Sequence, residues 1–164
     1  MKQTIIILIV LSGLLLGCLK REKYPDEPRI ALYSFVIEPD SATLTFTFTD
    51  GDGNFGLNDT NFIDAEDCPK NYNLFCEYYE KINGEWVWIE LNPCTNPDVQ
   101  PFYSRVPFAE PSGQFKAQKG EVKLVMDDYY LDSEHDTCKF EIYVVDLPQN
   151  KSNVISTQEF VKPQ

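Results

Sequence analysis

A run of alternating threonine and apolar residues from Thr43 to Thr49 constrains the fold more than any other feature of the chain. Successive side chains of a strand point to opposite faces, so Leu44, Phe46 and Phe48 share one face and the threonines share the other. This pattern predicts a half-buried β-strand. The preceding run, Ile30 to Ile37, is rich in β-branched and aromatic residues and ends at a turn, so the two segments are predicted to form a hairpin.

A second hairpin is predicted around Asn83-Gly84, the preferred dipeptide of a two-residue type I′ turn. It joins Tyr72–Lys81 to Glu85–Leu91. With Ile82 and Glu85 as the pair flanking the turn, every other cross-strand pair follows. One face, predicted to be core, pairs Cys76 with Leu91, Tyr78 with Ile89 and Glu80 with Val87. The other face, predicted to be surface, pairs Glu77 with Glu90, Tyr79 with Trp88 and Lys81 with Trp86.

Three further strands are predicted at Glu121–Met126, Cys138–Asp146 and Val154–Val161. No segment has the sustained three- and four-residue apolar spacing of a long helix. Seven short strands joined by turns predict an all-β protein, an antiparallel sandwich of about seven strands in the immunoglobulin or fibronectin type III style. A small closed barrel is the alternative.

The N-terminal segment, Met1 to Gly17, has the order of a secretory signal peptide: Lys2, then an apolar run, then a small residue. The run is shorter than the ~20 apolar residues that a membrane-spanning helix needs. Charged residues and two prolines follow as far as Pro28, which predicts an extended tether.

The sequence Leu15-Leu16-Gly17-Cys18 resembles the lipobox of bacterial lipoproteins. The resemblance implies cleavage before Cys18, acylation of that cysteine and attachment to a membrane through the lipid. Leu19, where an aspartate would favour the inner membrane, implies the outer membrane, with either a periplasmic or an external face. An ordinary signal peptide with a chance cysteine is the alternative. The chain then divides into a signal peptide (1–17), a lipidated tether (18–29) and one β-sandwich domain (30–164).

Charge and cysteine content limit the partners and the compartment. With 26 acidic and 14 basic residues, the chain has a net charge of −12, which disfavours binding to nucleic acid. If Cys18 is lipidated, an even number of cysteines remains, and in an exported protein this predicts two disulfides with three alternative connectivities. Zinc is disfavoured because no C-x-x-C pair occurs and the single histidine is His135. The disulfide candidates are Cys68, Cys76, Cys94 and Cys138.

The loop after the alternating strand reads Asp50-Gly51-Asp52-Gly53-Asn54-Phe55-Gly56, with oxygen-bearing side chains at alternate positions and glycines between them. A hard cation such as Ca²⁺ requires this chemistry, and the loop resembles the first half of an EF-hand. It departs where Phe55 replaces glycine and Asn61 replaces the bidentate glutamate. A weak calcium site, with an affinity of roughly 10⁻⁴ to 10⁻³ M, and a turn whose aspartates bind their own backbone both remain open. The candidate calcium ligands are Asp50, Asp52, Asn54 and Asp59.

A second acidic run, from Asp127 to Asp136, would supply a further cation site, or contribute to the first if the two loops share one end of the sandwich; such a run is more often a solvated loop. On the predicted outer face, Tyr79, Trp86 and Trp88 form an aromatic stripe suited to sugar rings or protein partners. The alternatives are an inverted register and a stripe covered by the loop from Pro93 to Gly113. Because that loop is rich in aromatics and prolines, it is expected to cover the stripe.

The mature chain resembles small lipoproteins of Bacteroidetes bacteria that carry an immunoglobulin-like sandwich. The lipobox, the strand and acidic loop from Phe46 to Leu57 and the ending Val144–Asn153 carry this resemblance. It implies fold and location more than activity, and Leu147-Pro148-Gln149 departs from the small residues expected in the final turn.

No serine-hydrolase or zinc-protease motif is present. The predicted function is therefore that of a lipid-anchored envelope binding or accessory module, stabilised by calcium if the loop binds it, with no catalytic activity. The expected partners are the membrane, through the anchor, and an envelope protein or glycan. The alternative is a small glycan hydrolase that uses paired carboxylates such as Glu77 and Glu90.

Overall fold

A computed structural model describes residues 22–58, 71–92, 102–111 and 116–163. These residues form nine strands and no helix. No helix in these ranges is long and apolar enough to cross a membrane. The strands are β1 (Arg29–Glu38), β2 (Ser41–Asp50), β3 (Leu74–Ile82), β4 (Glu85–Ile89), β5 (Tyr103–Ser104), β6 (Gln118–Met126), β7 (Thr137–Val144), β8 (Ile155–Ser156) and β9 (Phe160–Val161).

The strands form two antiparallel sheets, consistent with the predicted β-sandwich. The smaller sheet has the order β1-β2-β6, and the larger has the order β4-β3-β7-β8, with β5 paired to β3 and β9 paired to β7. Apolar side chains of both sheets meet in one core. Its fully buried members include Leu44, Phe46, Leu74, Tyr78, Phe140, Ile142 and Val144.

Both predicted hairpins are confirmed. Strand β1 pairs with β2, and Leu44 and Phe46 are buried on the predicted face. The second hairpin has the predicted register, with Tyr79 opposite Trp88 and Ile82 opposite Glu85. Asn83 and Gly84 both have positive φ, as the type I′ turn requires.

Two features of the strand pattern differ from the prediction. The strand expected over Val154–Val161 is interrupted between β8 and β9. The interruption arises because the Thr157 hydroxyl accepts a hydrogen bond from the Phe140 amide nitrogen at 3.0 Å. In a regular antiparallel ladder a backbone carbonyl would accept that bond. The short β5 is an additional strand beside Leu74 and Phe75.

Both cysteines in the described ranges, Cys76 and Cys138, are free, buried thiols. Cys76 lies opposite Ile142 and Cys138 opposite Glu80, so they are offset by four residues, about 13 Å along the strands. A disulfide requires Cα atoms within about 7 Å, so the register excludes the connectivity that joins these two. The structure gives no support to the disulfide prediction, and Cys68 and Cys94 lie outside the described residues. Burial raises the pKa of both thiols.

A buried ion pair ties the C-terminal segment to the larger sheet. Lys162 Nζ lies 3.0 Å from Glu80 Oε1, and the two side chains are 8% and 3% exposed. Ser133 joins them, since its hydroxyl donates to Glu80 at 2.6 Å and accepts from Lys162 at 2.6 Å. These bonds compensate the cost of burying the two charges.

Candidate functional site

The aromatic stripe predicted on the second hairpin lies on the outer face of the larger sheet. Tyr79 and Trp88 form one cross-strand pair, and Lys81 and Trp86 form the next. On the other side of β3, β7 adds Lys139, Glu141 and Tyr143 opposite Tyr79, Glu77 and Phe75. The candidate surface is therefore wider than the stripe and spans three strands.

Glu77 lies at the centre of this surface and holds its aromatic side chains in place. Its carboxylate accepts a hydrogen bond from Trp88 Nε1 at 2.8 Å and from the hydroxyls of Tyr103 and Tyr143, each at 3.3 Å. Burial, and then the Glu77 charge, raise the pKa of Tyr143 to about 12 and that of Tyr103 further. Both hydroxyls therefore remain protonated donors at neutral pH.

The rings at one end of the surface are packed against each other. Phe75 stacks on Tyr143, with centroids 4.9 Å apart and ring planes 11° apart, and it meets Tyr103 edge-on, also at 4.9 Å. Aromatic pairs of this kind contribute about 0.5–1.5 kcal/mol beyond their buried area. These contacts hold the three rings together at this end of the surface.

Lysines lie over several of these rings. Lys139 Nζ is 5.0 Å from the ring centroid of Tyr79 and 5.2 Å from that of Trp86, and Lys151 Nζ is 3.4 Å from that of Tyr143. These are cation–π distances. Trp88, by contrast, is 45% exposed although its indole nitrogen is fixed by Glu77.

A groove of about 210 Å³ opens on this face. Its walls combine aromatic rings with two carboxylates and one ammonium group. The groove is lined by Glu77, Tyr79, Trp88, Glu141, Tyr143, Lys151 and Val154.

The described part of the loop expected to cover the stripe packs elsewhere. Phe102 lies against Tyr78 and Phe140, at 5.4 and 5.1 Å between centroids, and so packs on the core side. Tyr103 lies over the Phe75 end of the face. Residues 93–101, 112 and 113 of this loop lie outside the described residues.

The acidic loop after β2 forms a second polar cluster. Asp50 is fully buried, and its Oδ2 accepts the backbone N–H groups of Gly53 and Asn54 at 2.9 and 3.0 Å. The Asn54 amide donates to Asp52 Oδ2. This is the self-bonded turn expected from an aspartate-rich loop, and it satisfies only one oxygen of each carboxylate.

Three buried oxygens in the loop have no hydrogen-bond partner: Asp50 Oδ1, Asp52 Oδ1 and Asn54 Oδ1. Burial, and next the charge of Asp52, raise the pKa of Asp50 from 3.8 to about 6, although the two backbone bonds act in the opposite direction. At neutral pH the folded chain therefore holds an ionised carboxylate in an unfavourable environment.

The sheet topology brings Asp146 to the same end of the sandwich. Asp146 follows β7, is buried, and accepts hydrogen bonds from the backbone and side-chain nitrogens of Asn150 at 2.6 and 2.8 Å. Its charge raises the pKa of Asp50, and Asp52 has the same effect on Asp146, so the three carboxylates affect one another electrostatically.

The second acidic run lies at the opposite end. Asp50 pairs with Gln118 at the start of β6, whereas the run follows Met126, which pairs with Ala42. About eight residues of strand, roughly 26 Å, separate the two loops. The two loops do not share one end, so the run does not contribute to the Asp50 loop, and its exposed acids fit the alternative of a solvated loop. Cys18 and Asp59 lie outside the described residues.

Sequence reasoning located Tyr79, Trp86 and Trp88 but gave Glu77 no positioning role and missed Tyr143 and Lys151. The alternation in β7, which places Tyr143 outward beside β3, was the available signal.

Comparisons with protein-family models, curated proteins and solved structures gave no match.

Proposed function

We propose that this chain is a lipid-anchored binding module of the bacterial outer membrane, and that the groove on its larger sheet binds a saccharide ring of an envelope glycan. The lipobox at Leu15–Cys18 and the signal-peptide pattern before it support the anchor. The absence of recognised catalytic motifs from the sequence favours binding over a reaction.

We further assign the sandwich to the immunoglobulin and fibronectin type III style. Seven strands remain if β5 is counted as an addition and β8 and β9 are counted as one interrupted strand. The first, second and fifth of these, β1, β2 and β6, form one sheet. The fourth, third, sixth and seventh, which are β4, β3, β7 and the β8–β9 pair, form the other. In the immunoglobulin constant-type style the first, second and fifth strands likewise share one sheet and the third, sixth and seventh share the other, whereas the fourth strand there joins the sheet of the first. The strand order supports this assignment.

The saccharide proposal rests chiefly on Trp88. Its ring is 45% exposed while its N–H donates a hydrogen bond to Glu77. The flat apolar surface is therefore ordered before a ligand binds, and binding does not have a large entropic cost of ordering this side chain. The carboxylates and the lysine lining the groove are hydrogen-bonding groups for ring hydroxyls. A volume of about 210 Å³ is below that of pockets for drug-sized ligands and suits one ring.

Hydrolysis is the second candidate, because Glu77 and Glu141 are directly opposite each other and both line the groove. Each carboxylate, however, has partners. Glu77 accepts three side-chain hydrogen bonds, and Glu141 forms an ion pair with Lys139 at 2.7 Å. Glu90, the other carboxylate considered from the sequence, is exposed just beyond β4. These contacts favour a positioning role for Glu77 over proton transfer.

The proposal is tested by binding of the full chain, kept in detergent, to envelope polysaccharide and to peptidoglycan sacculi. We expect Trp88→Ala to weaken binding at least about tenfold, as loss of a central aromatic anchor does. Tyr33→Ala is the matched control, because Tyr33 is an exposed aromatic, 72% accessible, on β1 of the other sheet. Equal binding by wild type and Trp88→Ala, or equal loss in both variants, would refute the groove as the site. Release of soluble sugar by wild type but not by Glu77→Gln would favour hydrolysis.

A further inference from the structure

We propose that the loop from Asp50 to Asn54 binds a calcium ion through Asp50 Oδ1, Asp52 Oδ1 and Asn54 Oδ1. These are the three side-chain oxygens of the loop that are buried and lack a partner. Asp50 itself is 0% exposed. The site is separate from the proposed saccharide groove and does not depend on it.

The self-bonded turn accounts for the other oxygens of the loop but leaves these three unexplained. More than nine-tenths of buried polar groups in proteins are hydrogen-bonded, and an unsatisfied one costs about 1–3 kcal/mol, more if it is charged. Here two such oxygens belong to carboxylates and the third to a neighbouring amide, all within five residues. A cation bound between them would satisfy all three and offset the repulsion between Asp50 and Asp52.

The chemistry of the donors favours calcium. All three donors are oxygens, which suits a hard cation, and calcium accepts irregular sets of carboxylate, amide and backbone oxygens completed by water. Magnesium requires a nearly ideal octahedron and fits this loop less well. No group of three or more His, Cys, Asp or Glu side chains is arranged as a metal site in the described part of the chain. The proposed ligand set is consistent with that finding, because it contains two carboxylates and one amide.

Neighbouring charges add a negative potential with little local compensation. Asp146 is close enough to affect Asp50, and each of its carboxylate oxygens already accepts a hydrogen bond from Asn150, so it contributes charge without being required as a ligand. Lys116 lines the outer side of the loop. Among the described residues, however, no ion pair joins it to Asp50 or Asp52.

Glycines let the loop pack tightly against its surroundings. A Cβ on Gly51 would lie 2.4 Å from the Tyr24 carbonyl oxygen, and one on Gly53 would lie 1.9 Å from that of Lys116. Gly53 also has a positive φ of 74°. A bound ion would therefore stabilise the contact of this loop with the N-terminal segment and with the residues that lead into β6.

The experiment is thermal unfolding of the full chain in detergent, in 5 mM CaCl₂ and in chelator at matched ionic strength. We expect calcium to raise the wild-type Tm by several degrees, as a ligand that binds only the folded state does. Asp52→Asn should abolish the rise. Asp132→Asn, a change of equal charge in the exposed run at the other end, should retain it.

A second readout separates binding from a failure to fold. Calcium should shift the amide resonances of Gly53 and Asn54 in wild type and in Asp132→Asn but not in Asp52→Asn, whose far-UV circular dichroism in chelator should match that of wild type. An unchanged Tm together with unshifted amides in wild type would overturn the proposal. An equal rise with MgCl₂ would overturn the choice of calcium, and equal responses in the two variants would overturn the choice of ligands.

Discussion

Replacing Asp50 by asparagine should make the calcium-free protein more stable. The pKa of this buried carboxyl is about 6 in the folded chain against 3.8 ordinarily, a difference of about two units. Each unit corresponds to about 1.4 kcal/mol, so the ionised group costs the folded state about 3 kcal/mol at neutral pH. Asparagine keeps a carbonyl oxygen for the N–H groups of Gly53 and Asn54 but carries no charge. We expect a Tm increase of roughly 5–10 °C in chelator at pH 7.5.

The pH dependence of this difference has a definite sign. The folded chain binds the Asp50 proton more tightly than the unfolded chain, so the wild-type free energy of unfolding falls through this group as pH rises from about 4 to about 6. Below about pH 4 the carboxyl is protonated in both states and the penalty is absent. The stabilisation of Asp50→Asn over wild type should therefore be small at pH 4 and reach its full size above pH 6.

Thermal unfolding monitored by circular dichroism, with and without calcium, checks this reasoning. In chelator the variant should melt above wild type, and with calcium the difference should shrink or reverse, because only wild type has both carboxylates for the ion. Asp132→Asn should follow wild type at each pH. A variant less stable than wild type in chelator at pH 7.5 would show that the hydrogen bonds of the carboxylate outweigh its burial, and would refute the reasoning.

Three further substitutions test the framework, each by chemical denaturation of the full chain. Asn153→Ala should lower the free energy of unfolding by about 1–2 kcal/mol, because that side chain exchanges two 2.9 Å hydrogen bonds with the backbone of Ile30; no loss would contradict this bridge between the sheets. Lys162→Met should cost about 3–5 kcal/mol by leaving Glu80 buried and unpaired, and a change below 1 kcal/mol would show that Glu80 is hydrated. Gln149→Gly should raise the free energy of unfolding by about 0.5–1 kcal/mol, because Gln149 has a φ of 75°, a left-handed conformation that glycine adopts without strain. A destabilised variant would show that the side-chain contacts of Gln149 outweigh this strain.

Local patterns in the sequence predict the strands well where one face is buried. The alternation over Thr43–Thr49 gives the correct inward residues, and Asn83-Gly84 fixes the hairpin register because the turn type allows one pairing. The two-residue β5 carries no periodicity of its own. Its position depends on Leu74 and Phe75, which are distant in sequence.

The sites depend on contacts that sequence spacing does not contain. Glu77 is central only because Tyr103 and Tyr143, from two other segments, meet on its carboxylate. Similarly, the acidic run after β6 has more charge than the turn after β7, yet sheet topology places Asp146, not that run, beside Asp50. The departure from glycine noted at residues 147–149 does have a structural counterpart in the positive φ of Gln149.

The proposed saccharide site is tested most directly by the indole N–H resonance of Trp88 in the full chain, titrated with oligosaccharides released from envelope polysaccharide and peptidoglycan. The chain has two tryptophans, so the Trp88→Ala variant assigns the signal. Because this N–H donates to Glu77 inside the groove, binding there should shift it in proportion to occupancy, together with the backbone amides of Tyr79 and Tyr143. Saturable glycan binding that leaves these resonances unmoved would contradict the groove as the binding site, as would the absence of binding to any envelope glycan.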